Sequence, residues 1–485
     1  MQSSGPAPSY APGFRHSPSR PVCRPGSFAT GETTHRLDSA RTEMRWRLSH
    51  AIFLSEPGST PTRAPGVSGP PVARKMTATP RPLNIVQVCD HLGWPGSRMH
   101  GVKRLFTWMI PRFDPERFNV SLVSLRSPDT SQERLEDYGI DVTYLSRSKF
   151  DPLTLPALLS ELDRRKTDVV HMHGYGATTF GRLAAARRGI PTVLHEHANL
   201  TGTPWFQKVA DRLLAPYTDL AIAVSRSTAE FVIGARQVPR NRTRIVYLGA
   251  PLEDFCRART PEEVRAMRSS LGLPATGPVV GTVTRLMPSK GNRYLVEAAR
   301  LVLDRDPDVH FCIVGEGELL GDLRRRARRL GVAERVHFTG FTRNVAGALA
   351  AFDLVVFPSL WEGTPLTAFE ALAAGRPIVA SDADGLTDIL QDGRDSVVVP
   401  KRDAGAIARA VVALLDNPGR RDELACAARL TGARYDITTF VRKMERLYRI
   451  MHESRGKPAP RGLAGVNLSF LSDQESAPQR TVLTQ

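Results

Sequence analysis

Two carboxylates and two cations in the second half of the chain have side-chain types and spacing suited to chemistry. Glu362 and Glu370 lie in LVVFPSLWEGTPLTAFE (354–370) with seven residues between them. Leu354 to Phe357 is a continuous apolar run, which suits a strand buried on both faces. Pro358 ends it, and Trp361-Glu362-Gly363-Thr364-Pro365 makes a polar, glycine-bearing turn. A helix follows. This places Glu362 in the loop at the strand's carboxyl end and Glu370 about two turns into the helix. Free N–H groups near Gly363 and Leu366 point into the same crevice, with the positive end of the helix dipole behind them. Such a crevice holds an anion flanked by hydroxyl groups, which describes a nucleotide-sugar. Two glutamates alone would equally describe a solvated strand–helix turn, so the surroundings decide.

Upstream, VVGTVTRLMPSKG (279–291) reads as a strand followed by a loop bearing Arg285 and Lys290. A lone pair of this kind is usually a solvated surface feature. At the end of a strand facing a diphosphate, however, a guanidinium and an ammonium would stabilise charge developing on a leaving group.

The stretch PSLWEGTPLTAFEALAAGRPIVAS resembles the signature of the retaining GT-B glycosyltransferases of family 4 (GT4, group 1). The likeness includes the Gly-x-Pro after the first Glu and the Ala-x-Gly-x-Pro-Ile-Val-Ala beyond the second. The 279–291 loop is similar to that family's Gly-Arg-Leu-x-x-x-Lys-Gly loop, with Thr284 where the family commonly has Gly. The resemblance covers roughly residues 84–454. It implies that Arg285 and Lys290 grip the diphosphate, Glu370 accepts hydrogen bonds from ribose hydroxyls, and Glu362 lies near the donor sugar. Gly363, Thr364, Pro365 and Leu366 would line the phosphate and sugar pocket through their backbone. Gly340-Phe341-Thr342 would lie beside the base, and Gly315 in Val314-Gly315-Glu316-Gly317 is read as turn chemistry first and ligand contact second.

In the first half, VVHMHGYGA puts His171 and His173 on one face at a strand's end, and His195-Glu196-His197 repeats the spacing. A zinc site needs three or four converging ligands, so no metal is assigned. His171 and His195 are read as structural. By resemblance His173 faces the donor sugar as a catalytic contributor. The loop HLGWPGSRMHGVKRL (91–105) matches the family least. Gly93 and Gly96 can allow close backbone approach to phosphate or acceptor, and Trp94, Ser97, Arg98 and His100 are acceptor-side candidates. The helix after it, GVKRLFTWMIPRF, could press a basic amphipathic face on an anionic membrane, but its apolar side reads better as core. Asp382-Ala383-Asp384 reads as a loop with helix-capping carboxylates rather than a metal site.

The elements that must position these groups form two alternating series. Strands are expected at Ile85–Cys89, Val120–Leu125, Val142–Leu145, Val169–His173, Thr192–His195, Leu220–Val224 and Ile245–Leu248. A second set is expected at Val279–Thr284, His310–Val314, Val336–Thr339, Leu354–Phe357, Ile378–Ala380 and Val397–Val399. This is an α/β chain of GT-B type: two Rossmann-like domains facing across a cleft, with a helix at Thr438–His452 returning to the first. The expected division is an acceptor domain over 81–255, a donor domain over 256–435, a crossover helix over 436–454 and a flexible tail over 455–485.

Residues 1–80 are rich in Pro, Ser, Gly, Thr and Arg and hold ten basic and four acidic side chains. They cannot bury enough to order themselves, and Met76 is read as the better start. The 485 residues, 41% hydrophobic and 24% charged, suffice for two cores. The net charge of +17 comes without a nucleic-acid-binding signature and fits anionic lipid or phosphorylated substrates instead. Five scattered cysteines with no Cys-x-x-Cys point to a reducing compartment, with Cys89 and Cys312 as buried thiols. No apolar run approaches the roughly 18 residues that span a bilayer. A cytoplasmic protein, peripheral to the inner face of the membrane, is expected.

The implied function is transfer of a hexosyl group from a nucleotide-diphosphate sugar to a glycan or lipid-linked acceptor hydroxyl, with retention and no cofactor. Arg285 and Lys290 would assist the leaving group. A nucleotide-sugar 2-epimerase or a phosphorylase shares the architecture, and a non-catalytic sugar-binding scaffold is a third reading.

Overall fold

The computed structural model describes residues 81–93, 97–199, 204–455, 463 and 466–472. The expected basic extension over 1–80, with its Met76 start, lies outside the described residues. In the first lobe Leu83–Cys89 (β1), Phe118–Ser124 (β2), Val142–Tyr144 (β3), Val169–His173 (β4), Thr192–Glu196 (β5), Leu220–Ala223 (β6) and Thr243–Ile245 (β7) form one sheet. Their order is β3-β2-β1-β4-β5-β6-β7. In the second, Val279–Val283 (β8), His310–Val314 (β9), Val336–Gly340 (β10), Leu354–Phe357 (β11), Ile378–Ser381 (β12) and Ser396–Val399 (β13) take the order β10-β9-β8-β11-β12-β13. Every pairing is parallel.

The strands are apolar runs with helices on both faces, so β4, β5, β6, β8 and β11 are buried throughout. Each sheet reverses its order once, between β1 and β4 and between β8 and β11. Ligands of open parallel sheets bind outside the carboxyl ends at such points. The loops after β1, β8 and β11 hold Arg98, Arg285 and Glu362, and His173 is the last residue of β4.

The helix Ile437–Glu453 returns to the first lobe. Asp436 caps it, accepting from Thr438 N, and its buried face presents Phe440, Val441, Met444, Leu447, Tyr448 and Met451. The Tyr448 ring lies 5.9 Å from Phe113 and 6.5 Å from Phe118 of the first lobe. One strand differs from expectation. β7 ends at Ile245, and Val246, Tyr247 and Leu248 are buried outside the sheet. They lead to Ala250, which bonds Tyr435 and Ile437 where the returning chain crosses. Val246 N still bonds the Ala223 carbonyl of β6, and beyond it the burial of Tyr247 and Leu248 comes from the junction. Within the expected tail, Ser469–Leu471 forms a 3-10 turn that buries Leu468 and Leu471 and places Phe470 under Arg446 at 4.1 Å. Cys89 and Cys312 are buried, and burial raises the Cys312 thiol to about 12. No helix among the described residues is long and apolar enough to cross a membrane.

Beneath the first switch point lies a buried polar layer. The register sets Gln87 beside His171 and His173 beside His195, so these side chains share the sheet face covered by the returning helix. Gln87 donates its amide to Tyr448 Oη at 3.0 Å, and the phenol donates to His171 Nδ1 at 2.6 Å. His171 Nε2–H then donates to His195 Nδ1 at 3.2 Å. From its other end Gln87 Oε1 accepts from His173 Nε2–H at 2.7 Å, leaving His173 Nδ1 to accept from His197 Nε2–H at 2.8 Å. Only His195 Nε2 ends without a partner. Burial, reinforced by the neighbouring rings, holds His171, His173 and His195 well below the usual imidazole range, and His197 falls to about 3.

These four rings therefore stay neutral in the folded protein. The unfolded chain takes up their protons below about pH 6.5. Stability should be constant above that pH and fall as pH drops through 6.5 and below, by about 1.4 kcal/mol per pH unit for each ring. Urea unfolding at pH 7.5, 6.5 and 5.5 reads this directly, and a midpoint that does not move would contradict it. Tyr448→Phe keeps the ring but strands the Gln87 amide and His171 Nδ1. A loss of about 1–3 kcal/mol at neutral pH is expected in the same assay.

Candidate active site

The second switch point gathers the sequence-selected groups. After β8 the chain runs through exposed Arg285 into a 3-10 turn, Pro288–Lys290. Gly291 follows at φ 60°, and a Cβ there would lie 2.0 Å from the Pro358 carbonyl. Only glycine lets this turn sit on the β11 loop. The close packing brings Lys290 Nζ to Glu362 Oε2 at 2.5 Å, while Ser359 Oγ donates to Oε1 at 2.7 Å. Glu362 is buried and fixed by both. Among the described residues Arg285 has no ion-pair partner, and its charge helps to depress His100 of the facing lobe, which burial first drives to about 4.

The helix Leu366–Ala373 starts after Pro365 with no side-chain cap and no acidic residue in its first turn. Its first N–H groups therefore remain available to an anion. Glu370 is the fifth residue of this helix, little more than one turn in. It sits closer to the start than the expected two turns because the loop takes up Gly363 to Pro365. It is fully buried, and burial raises its carboxyl above the usual range, an effect that Arg104 partly offsets. Arg104 Nη2 of the helix Gly101–Met109 lies 2.7 Å from Oε1, yet off the line of a hydrogen bond, so neither carboxylate oxygen has a donor. The expected ribose acceptor is thus an unsatisfied carboxylate under an arginine from the opposite lobe.

At Gly363 the lobes pack closely. A Cβ there would stand 2.2 Å from the His197 carbonyl. Thr364 Oγ1 donates to the Val224 carbonyl at 2.5 Å, so its hydroxyl joins the lobes and leaves only its backbone to a ligand. On the rim Gly315 donates its N–H to the Gly340 carbonyl at 2.8 Å. A Cβ on Gly315 would overlap the Thr284 carbonyl, so turn geometry requires that glycine. Thr342 Oγ1 accepts from Asn344 N, and Phe341 lies under the Arg98 guanidinium at 5.1 Å.

Across the cleft, Arg98 Nε donates to Glu316 at 3.1 Å. Gly93 packs on Asp129 and Ser131, which also hold buried Lys103, and the Ser97 carbonyl accepts from Gln132 N. Trp94 and Gly96 lie outside the described residues. His100 caps the helix Gly101–Met109, whose Leu105, Phe106, Trp108 and Met109 are buried. That helix is core, so it presents no free apolar face to a membrane. His173 stands at the end of β4, edge-on to Phe106 at 4.9 Å, with both ring nitrogens bonded to Gln87 and His197. It can reach a sugar only if one of those bonds is given up.

His171, His173 and His195 bring one nitrogen each within 4.8 Å of the others. Metal ligation requires lone pairs converging in the ring planes. Here the His171 ring is stacked at 19° on His173 and at 20° on His195. Such faces do not converge on an ion. The Asp382 carboxylate accepts from Lys401 N instead of capping the short helix behind it.

Sequence reasoning named Arg104 only as part of a basic helix and Glu316 only as part of a turn, and it missed Gln87, Tyr448 and Ser359. Ser359 had a signal, since it stands three residues before Glu362 in the same turn. The others act across hundreds of residues, or across the cleft, where local pattern is silent.

Residues 99–254 match the profile of Glycosyltransferase Family 4 and residues 277–417 that of Glycosyl transferases group 1. An alpha-D-kanosaminyltransferase of Streptomyces kanamyceticus is 30% identical over 300 residues, which cover 58% of this chain and 76% of that protein. The UDP-Gal:alpha-D-GlcNAc-diphosphoundecaprenol alpha-1,3-galactosyltransferase of Escherichia coli is 26% identical over 333 residues, covering 66% and 86%. Among solved structures, Anabaena HepE in complex with UDP superposes with a TM-score of 0.65 at 20% identity, over 76% of this chain and all of that one, a likeness of fold. Two parallel-sheet lobes, a returning helix and a cleft lined from both switch points accompany these matches: the chain belongs to the group 1 glycosyltransferases of family 4 and is a GT-B hexosyltransferase.

Proposed function

We propose that the protein moves a hexosyl group from a nucleotide-diphosphate sugar to an acceptor hydroxyl with retention at the anomeric carbon, in glycan, exopolysaccharide or glycolipid synthesis at the inner face of a membrane. The observation that carries this is the Lys290–Glu362 contact at 2.5 Å beside an uncapped helix start whose Glu370 carboxylate has no hydrogen-bond donor, with Arg285 in the same loop as Lys290. The second lobe takes the donor and the first takes the acceptor. The diphosphate meets Arg285, Lys290 and the N–H groups near Leu366. The ribose hydroxyls donate to Glu370, the base lies beside Gly340 to Thr342, and the sugar lies over Glu362 and Gly363. The Escherichia coli relative is named for UDP-Gal and the HepE structure holds UDP, both uridine nucleotides, which supports a nucleotide-sugar here.

In the reaction the bond from the anomeric carbon to the phosphate oxygen breaks and a bond to the acceptor oxygen forms. The acceptor proton passes to the departing phosphate. The growing negative charge is met by groups already in place, and such preorganised donors are worth about 2.7–4 kcal/mol each. A double displacement would need a free carboxylate behind the sugar. Glu362 is held by Lys290 and Ser359, which favours attack from the same face as the leaving group. The cations supply the positive charge at the diphosphate, so metal is not required for turnover.

Mass spectrometry against a panel of sugar nucleotides identifies the donor, and NMR of the product reads its anomeric configuration. An inverted product, or loss of turnover on EDTA treatment, would overturn the corresponding part of the proposal. Lys290→Ala should lower kcat/KM by about a hundredfold to a thousandfold with the thermal transition little changed. Glu370→Gln should act chiefly on donor affinity, raising KM by about tenfold to a hundredfold, as the loss of charged hydrogen bonds requires. Full activity in either variant would remove the donor site from this cleft.

A further inference from the structure

The helix Trp205–Leu214 is inside out. Its inward face carries Gln207, Asp211 and Leu214. Asp211 is gripped from beneath by Arg182 Nη2 at 2.5 Å and Arg236 Nη1 at 3.1 Å, and Arg236 Nε also binds buried Glu196 at 2.8 Å. This buried ion cluster fixes which side of the helix faces the lobe. The opposite side is apolar and in solvent: Trp205 is 76% exposed, Val209 50% and Leu213 68%, at four-residue spacing along one stripe. Exposed Phe206 carries the surface on to exposed Phe150, their rings 5.7 Å apart, and Tyr217 extends it past the helix end.

An ordinary surface helix turns its apolar stripe inward, and a contiguous apolar patch on the outside marks a contact surface. Cations border it. Lys208 and Arg212 form a second outward row, Lys149 sits over the Phe150 ring at 5.2 Å, and the helix's one acidic residue is the inward Asp211. The helix is the next element after β5, whose carboxyl end leads to the His197 carbonyl that faces Gly363 of the second lobe.

We infer that this face seats the protein on an anionic lipid surface, with Trp205, Phe206, Val209 and Leu213 in the headgroup–acyl boundary and Lys149, Lys208 and Arg212 on the phosphates. This deepens the membrane part of the function proposed above and rests on it. It assigns the contact to this helix and the Lys149–Phe150 corner, and it makes the acceptor one carried at a lipid surface. A second copy of the chain fits the charge less well. A twofold contact through this stripe would set the cationic rows of two helices together with no outward carboxylate on either.

The test is co-sedimentation of the full chain with vesicles of phosphatidylcholine alone and with phosphatidylglycerol added. Binding is expected to the anionic vesicles, to weaken with salt, and to shift tryptophan emission to the blue, a shift that Trp205→Phe should diminish. K208Q/R212Q should lose about thirtyfold in vesicle affinity, two surface charges' worth. W205S/L213S should lose at least as much, while both variants hydrolyse the sugar nucleotide in vesicle-free buffer like the parent chain. Absence of vesicle binding would overturn the inference, as would equal binding by all three forms. So would a dimer in sedimentation velocity that W205S/L213S dissolves without any vesicle binding. Failure here leaves donor turnover untouched. Loss of donor turnover with vesicle binding intact would instead sink the transferase chemistry alone.

Discussion

A buried carboxylate that no hydrogen-bond donor reaches is the constraint around which the cleft is built. Taking an ionised carboxylate out of water costs several kcal/mol even after relaxation, and Glu370 offsets this only through the Arg104 charge beside it. The sequence supplies Arg104 from the opposite lobe, one turn into a helix whose other residues are core. The proposed donor pocket and the closure of the two lobes are therefore parts of one electrostatic arrangement. Arg98–Glu316, Arg343–Glu133 at 2.9 Å and the Arg226 N–H bonded to Asp388 at 2.6 Å extend it along the rim. The rim pairs are partly exposed and contribute little individually. The buried one sets the geometry.

Placement of the cleft groups follows from topology more than from local preference. Strand reversal opens a gap between β1 and β4 and another between β8 and β11, and the loops that leave those strands must enter it. Lys290 and Glu362 are far apart in sequence, yet their loops leave neighbouring strands and meet at 2.5 Å because Gly291 admits the Pro358 carbonyl. A larger residue at that glycine would push on the Pro358 carbonyl and so drive the two loops apart.

The strands were legible because parallel strands covered on both faces must be continuous apolar runs, and few other segments of this chain are. The same rule misplaced the end of β7, where Val246 to Leu248 are apolar for the sake of the lobe junction. The charged pair Arg285 and Lys290 and the turn around Glu362 were legible as a local motif. The Arg104 contact was not, since no local periodicity encodes a partner 266 positions away. Nor was the orientation of the helix Trp205–Leu214. Its pattern, taken alone, puts Trp205, Val209 and Leu213 inside, and only the burial of Arg182 and Arg236 beneath Asp211 turns it over.

His173 shows how a motif residue can be placed correctly and still be constrained in what it does. Its ring lies at the strand end beside the cleft, but both nitrogens are spent, one on Gln87 and one on His197. Gln87 is itself held by Tyr448 of the returning helix. The line Tyr448, Gln87, His173, His197 ends at the carbonyl that Gly363 approaches from the second lobe. A neutral, buried, doubly bonded imidazole is poorly suited to exchange protons at pH 7, because each exchange would break a bond on one side and leave a buried partner unpaired. It is well suited to fixing the position of His197, and with it the floor that Gly363 of the second lobe approaches. That role gives the last helix of the chain a reason to cross back to the first sheet: without the Tyr448 hydroxyl above it, the Gln87 amide and His171 Nδ1 lose their partner and the polar layer has no roof.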